Sequence, residues 1–161
     1  MLKIVISLLV GLLVGAAGGF AAGIIAFPFL FPPPPVNEMV TDKTPEDVVA
    51  QGHFIHANPD DPLHFGTGGV TLYADLVHLG EDFRVGPGPK YHVYLVPEPD
   101  VTPKTRVRDT MFVDLGRLKA FSGSQNYPIP SGVNLAAYSS VVIWCEQFSV
   151  LISPAHLDFV H

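Results

Sequence analysis

The sequence predicts an all-β domain, an antiparallel β-sandwich, preceded by a single transmembrane α-helix. Three observations predict it. No charged residue occurs from Ile4 to Phe31. Beyond that stretch, short runs of β-branched and aromatic residues alternate with clusters of Gly, Pro, Asp and Asn, the pattern of strands joined by turns. And no segment of the second part carries a capped helical periodicity of ten or more residues, so several short strands must close a sandwich or barrel.

The apolar stretch from Ile4 to Ala26 is long enough to cross a hydrocarbon core of roughly 30 Å as a helix rising about 1.5 Å per residue. Lys3 is the one charge near its ends, which orients the N-terminus to the cytoplasm and the rest of the chain outward. Phe27, Phe29 and Phe31 follow at the interface, and Pro28 discourages further helix. Gly19 and Ala21 could stand at −3 and −1 of a signal-peptide cleavage site, but apolarity runs on through Phe31, and a retained anchor is expected. Gly11, Gly15, Gly19 and Gly23 recur every four residues, a stripe that lets a second helix approach closely, so helix–helix self-association is expected there.

The expected division is a transmembrane anchor over 1–31, a Pro-rich acidic linker over 32–47 and a β-sandwich over 48–161. Pro32 to Pro35 form a tetraproline, a polyproline II rod of roughly 12 Å that holds the domain clear of the headgroups.

Within the domain, Gly69–Val77, Lys90–Val96, Thr110–Leu118 and Ser139–Ile152 read as strands. The last is apolar on both faces in its first half. Val142 and Trp144 point one way; Val141, Ile143 and Cys145 point the other, as a central strand between two packed layers requires. NPDDP, GPGP, VPEPDVTP and FSGSQNYPIPSG are the connecting loops.

Charge and cysteine content exclude some functions. From Pro32 onward eight Lys/Arg face fifteen Asp/Glu, a net of −7. Beyond Lys43, the cations Arg84, Lys90, Lys104, Arg106, Arg108, Arg117 and Lys119 are scattered along the chain, which is no footprint for a polyphosphate backbone, so nucleic acid is excluded as a partner. Cys145 is the single cysteine, so no intramolecular disulfide can form. An unpaired thiol outside the cell is either buried and inert or kept for its reactivity.

Reactivity needs thiolate character, yet the sequence neighbours Trp144 and Glu146 do not lower a thiol pKa; the plain alternative is a small apolar residue filling a sheet. The seven histidines, His53, His56, His64, His78, His92, His156 and His161, match no metal-ligand spacing, and no metal is assigned. Haem ligation by a histidine with Met39 or Met111 is conceivable but cannot be located. Asn58, Asp60 and Asp61 make an acidic turn better read as a turn than as a calcium loop. No G-x-S-x-G elbow is present, so a serine hydrolase is rejected.

The order of several short motifs is recognisable. Gly52-His53-Phe54 is followed by His64 to Leu72 (HFGTGGVTL) and Gly88 to Leu95 (GPKYHVYL). Then come Leu115-Gly116-Arg117-Leu118-Lys119, the Gly123 to Pro130 run (GSQNYPIP) and Val141-Val142-Ile143-Trp144-Cys145. From about Gly52 to Leu157 the chain resembles the DM13 family, often labelled an electron-transfer domain. The resemblance implies a β-sandwich with one signature cysteine, here Cys145, and a proposed redox role. DM13 domains also occur beside DOMON domains, which bind haem or sugars. No DOMON neighbour accompanies this one, so a redox partner is expected to be a separate protein. The reading is a membrane-anchored extracytoplasmic domain, bacterial in layout, with a redox accessory role through Cys145. The alternative is a non-enzymatic cell-surface binding module for a protein or glycan.

Overall fold

The computed structural model describes residues 2–160. Helix α1, Leu2–Leu30, has a mean hydropathy of 2.4 over its most apolar window, and none of that window is buried. It runs two residues past Pro28. A proline in the last turn forfeits a single intrahelical bond, and Phe31 N–H still donates to Phe27 O at 2.9 Å.

Nine strands follow: β1 Val48–Phe54, β2 Gly66–Tyr73, β3 Leu76–Leu79, β4 Arg84–Val85, β5 Tyr91–Val96, β6 Val113–Arg117, β7 Gln125–Pro128, β8 Ser140–Cys145 and β9 Val150–Phe159. Among the described residues, helices within the domain are limited to three single-turn 3-10 segments. The strands are antiparallel neighbours in the order β6-β5-β8-β9-β1-β2-β3-β7, with β4 on β2. The all-β antiparallel fold is as the sequence predicts. Its opposed layers come from rolling one continuous sheet until β6 and β7 approach, a nearly closed barrel.

The seam is stitched by side chains. Gln125, fully buried, accepts from the Lys119 and Ala120 N–H groups through Oε1 and donates to Ala120 O. Tyr127 donates its hydroxyl to the same Oε1 at 2.8 Å. An amide with two donors and an acceptor thus does what a backbone ladder would otherwise do.

Two expected strands divide. Gly69–Val77 turns at Ala74-Asp75 into the β2–β3 hairpin, and Ser139–Ile152 turns at 146–149 into β8–β9. Ser149 adopts φ +54°, a left-handed turn conformation that no strand can continue through. The predicted facing of β8 holds nonetheless. Val141, Ile143 and Cys145 pack into the barrel core with Phe54, Leu79 and Leu95. Val142 and Trp144 pack outside, with Tyr94, Val96 and Leu151, under Val101 and Val107.

Part of the segment expected as linker lies along the domain. Val36 N–H donates to Ser122 O at 3.3 Å and Glu38 N–H to Ser124 O at 3.0 Å. The Glu38 carboxylate takes Lys119 Nζ at 2.7 Å and the Asn126 N–H at 2.6 Å. Gly123, at φ +87°, lies so close to Val36 O that a Cβ would collide with it. This strap fixes where α1 meets the barrel.

Candidate functional site around Cys145

Cys145 ends β8, opposite Tyr91 of β5 and Val150 of β9. Strand alternation turns its side chain into the core, where 1% of the residue is exposed. Sγ donates to Pro89 O at 3.2 Å. Burial pushes the thiol pKa up; the Phe148 and Gln147 N–H groups pull against it, and the Glu146 charge adds to the rise. The resting group is therefore a protonated thiol. Tyr91 leans on the edge of Phe121, with ring centroids 5.9 Å apart, and Gly88 is tight against the Tyr91 hydroxyl, where a Cβ would clash.

A groove of about 1060 Å³ opens between the last turns of α1 and this lip. Its barrel side is lined by Pro89, Lys90, Tyr91, Arg117, Lys119 and Phe121. The sulfur lies behind that wall, bonded to Pro89.

The next residue, Glu146, faces the other side of the sheet. There, alternation along β5 and register with β6 and β8 bring His92, Tyr94, Asp114 and Trp144 together. Lys90 Nζ lies 2.9 Å from Glu146 Oε2, Tyr94 donates to Oε1 at 3.0 Å, and His92 Nε2 stands 3.5 Å from Oε2. His92 Nδ1 is 3.0 Å from each Asp114 oxygen. Hydrogen bonds from Lys90 and then Tyr94 hold Glu146 below the ordinary carboxylate range. Burial, reinforced by Glu146, pushes the Tyr94 phenol up. Tyr94 stacks on Phe112 at 4.4 Å. The Trp144 indole N–H is buried without an acceptor.

One donor atom from each of His92, Asp114 and Glu146 lies within 4.8 Å of the others. Lys90 Nζ already contacts Glu146 Oε2, so a cation at that oxygen would compete with the lysine ammonium. Sequence reasoning missed this cluster. The alternation of KYHVYLV shows Lys90, His92 and Tyr94 on one face, but the partners come from strand register, which composition does not encode.

The other singled-out residues are dispersed. His56 and His64 both contact Asp61, through its carbonyl oxygen and its carboxylate respectively. Asp61 also accepts the Leu63 and His64 N–H groups, so the acidic turn is capped from within. His78 bonds Asn126, and His53 faces His156 across β1 and β9. Met39 and Met111 are more than four-fifths exposed. His161 lies outside the described residues. Among the described residues, and apart from the adjacent residues and the helix's own backbone, no atom lies within 4 Å of a Cβ built on Gly11, Gly15, Gly19 or Gly23.

A rolled antiparallel sheet with one buried thiol at the end of a central strand defines a single-cysteine all-β domain. The family model "Electron transfer DM13" matches residues 60–157, and the chain belongs to the DM13 family. No curated protein matches it, and no solved structure does.

Proposed function

We propose that the chain is a redox accessory domain, retained by α1 at the outer face of a cell membrane, with Cys145 as its redox group. The observation that carries this reading is the placement of the family's single thiol behind the Pro89–Tyr91 wall of an open groove. With one cysteine the chain can form only a mixed disulfide. The Cys145 thiol loses its proton and attacks a disulfide sulfur of a separate partner, and the partner's other sulfur leaves as thiolate. A thiol of a further, separate molecule then attacks the partner's sulfur in the mixed disulfide, forming a new disulfide with it and releasing Cys145 as its thiol, so that the disulfide is passed on and Cys145 is regenerated. Because burial holds the thiol protonated, the wall must open to hydrate it, so exchange is gated by local opening of the Pro89–Tyr91 wall. The glycine stripe, uncovered within the chain, supports pairing of two such anchors.

The test is alkylation of the full chain in detergent with a small maleimide. Labelling of Cys145 in native buffer, accelerating as pH rises, is expected. Labelling that begins only when denaturant is added would overturn the redox role. The second reading, a non-enzymatic surface module binding a protein or glycan, rests on the 1% exposure of Cys145 and would then stand.

A further inference from the structure

We infer that the groove between α1 and the β5–β6 rim seats one anionic phospholipid of the leaflet from which the domain emerges. The inference rests on the reading that α1 is a retained membrane anchor.

The strap fixes the location. Leu30 ends α1 and Val36 is bonded to Ser122. The six intervening steps span at most about 20 Å even when fully extended. Whatever the tilt of the helix, Val36, bonded to Ser122, stays within about 20 Å of the end of α1.

The lining then selects the occupant. On the helix side Phe20, Ile24 and Phe27 fall at i, i+4 and i+7, one face, which offers an acyl chain an apolar wall. On the barrel side the residues lining the same groove include Lys90, Arg117 and Lys119, on a domain whose net charge is −7. Lys90 and Lys119 are paired with Glu146 and Glu38. Arg117 is exposed and makes no ion pair among the described residues. A guanidinium at headgroup level offers two parallel donors to a phosphate, and basic residues next to a membrane span draw anionic lipid. A second apolar helix or a neutral lipid-soluble quinone would fill the apolar half and leave Arg117 without a counter-charge. An apolar helix side facing a barrel side that holds the unpaired Arg117 guanidinium therefore matches an amphiphile with a negative head.

The test uses the full chain, extracted from membranes and placed in nanodiscs of phosphatidylcholine containing about one-third phosphatidylglycerol, then released for native mass spectrometry. One retained phosphatidylglycerol per chain is expected. Arg117→Glu should lower its retention about tenfold, and Arg117→Gln by less, as loss of one charge-assisted contact implies. Equal retention of both lipids, no retained lipid, a retained quinone, or retention unchanged in Arg117→Glu would each overturn the proposal. The same spectrum gives the intact mass. A chain lacking α1 would overturn the anchor reading, whereas a full-length chain without bound phosphatidylglycerol overturns the lipid site alone.

Discussion

Cys145 and Glu146 are consecutive, and the pleat sends them into different environments. The sulfur meets Pro89 O and the apolar core, so its pKa rises. The carboxylate meets Lys90 and Tyr94, so its pKa falls. Replacing Tyr94 by Phe keeps the stack on Phe112 and removes only the hydroxyl; a loss of about 0.5–1.5 kcal/mol is expected for one hydrogen bond to a partly solvated acceptor, readable in chemical denaturation. Glu38 gives a pH prediction. Burial pushes its carboxyl up, but the hydrogen bonds from Lys119 and the Asn126 N–H outweigh this, and the net shift is downward. A carboxyl depressed in the folded state contributes stability above its unfolded pKa of roughly 4.3 and loses it as pH falls through the folded value. The strap should therefore be held at neutral pH and weaken in acid. Carbon-13 titration of the Glu38 carboxyl should show a midpoint below that of an ordinary glutamate, and Lys119→Gln should move it back up. An unshifted midpoint would show that the strap is not held by this pair.

At the level of elements, hydrophobic patterning placed the apolar helix, β5 and the two faces of β8 in advance, because a buried two-sided strand must be apolar in both registers. It missed the turns at Ala74-Asp75 and 146–149. Neither carries glycine or proline, and Ser149 takes the left-handed conformation without the residue type that announces it. Strand β1 lies inside the expected domain but carries no strand signal of its own, and β7, only four residues long, falls inside the run expected as a connecting loop. The strap was illegible for the same reason as the Lys90–His92–Glu146 cluster, since both depend on pairing between segments distant in sequence. Gly123 is where this can be probed. Its φ of +87° and the proximity of Val36 O both oppose a side chain, so Gly123→Ala should cost on the order of 1–3 kcal/mol and free residues 36–42 to protease. A thermal midpoint unchanged from wild type would mean that the strap contributes nothing to the domain's stability.

For the whole molecule, the fold joins a helix apolar over its length to an acidic barrel, and the strap decides which side of the barrel faces the helix. That side of the barrel carries the groove and the Pro89–Tyr91 wall in front of Cys145. The expected polyproline rod sets the domain clear of the headgroups, and hydrogen bonds from Val36 and Glu38 tie the residues that follow it to the barrel. If Cys145 is the redox group, its partner reaches it along this face, beside the membrane. The most direct test is a membrane-impermeant sulfonated maleimide applied to intact cells expressing the full chain. The account predicts that Cys145, the single thiol, is alkylated without permeabilisation and that the labelled chain stays in the membrane fraction at its full mass. Labelling that appears only after the cells are opened and the protein denatured would contradict it.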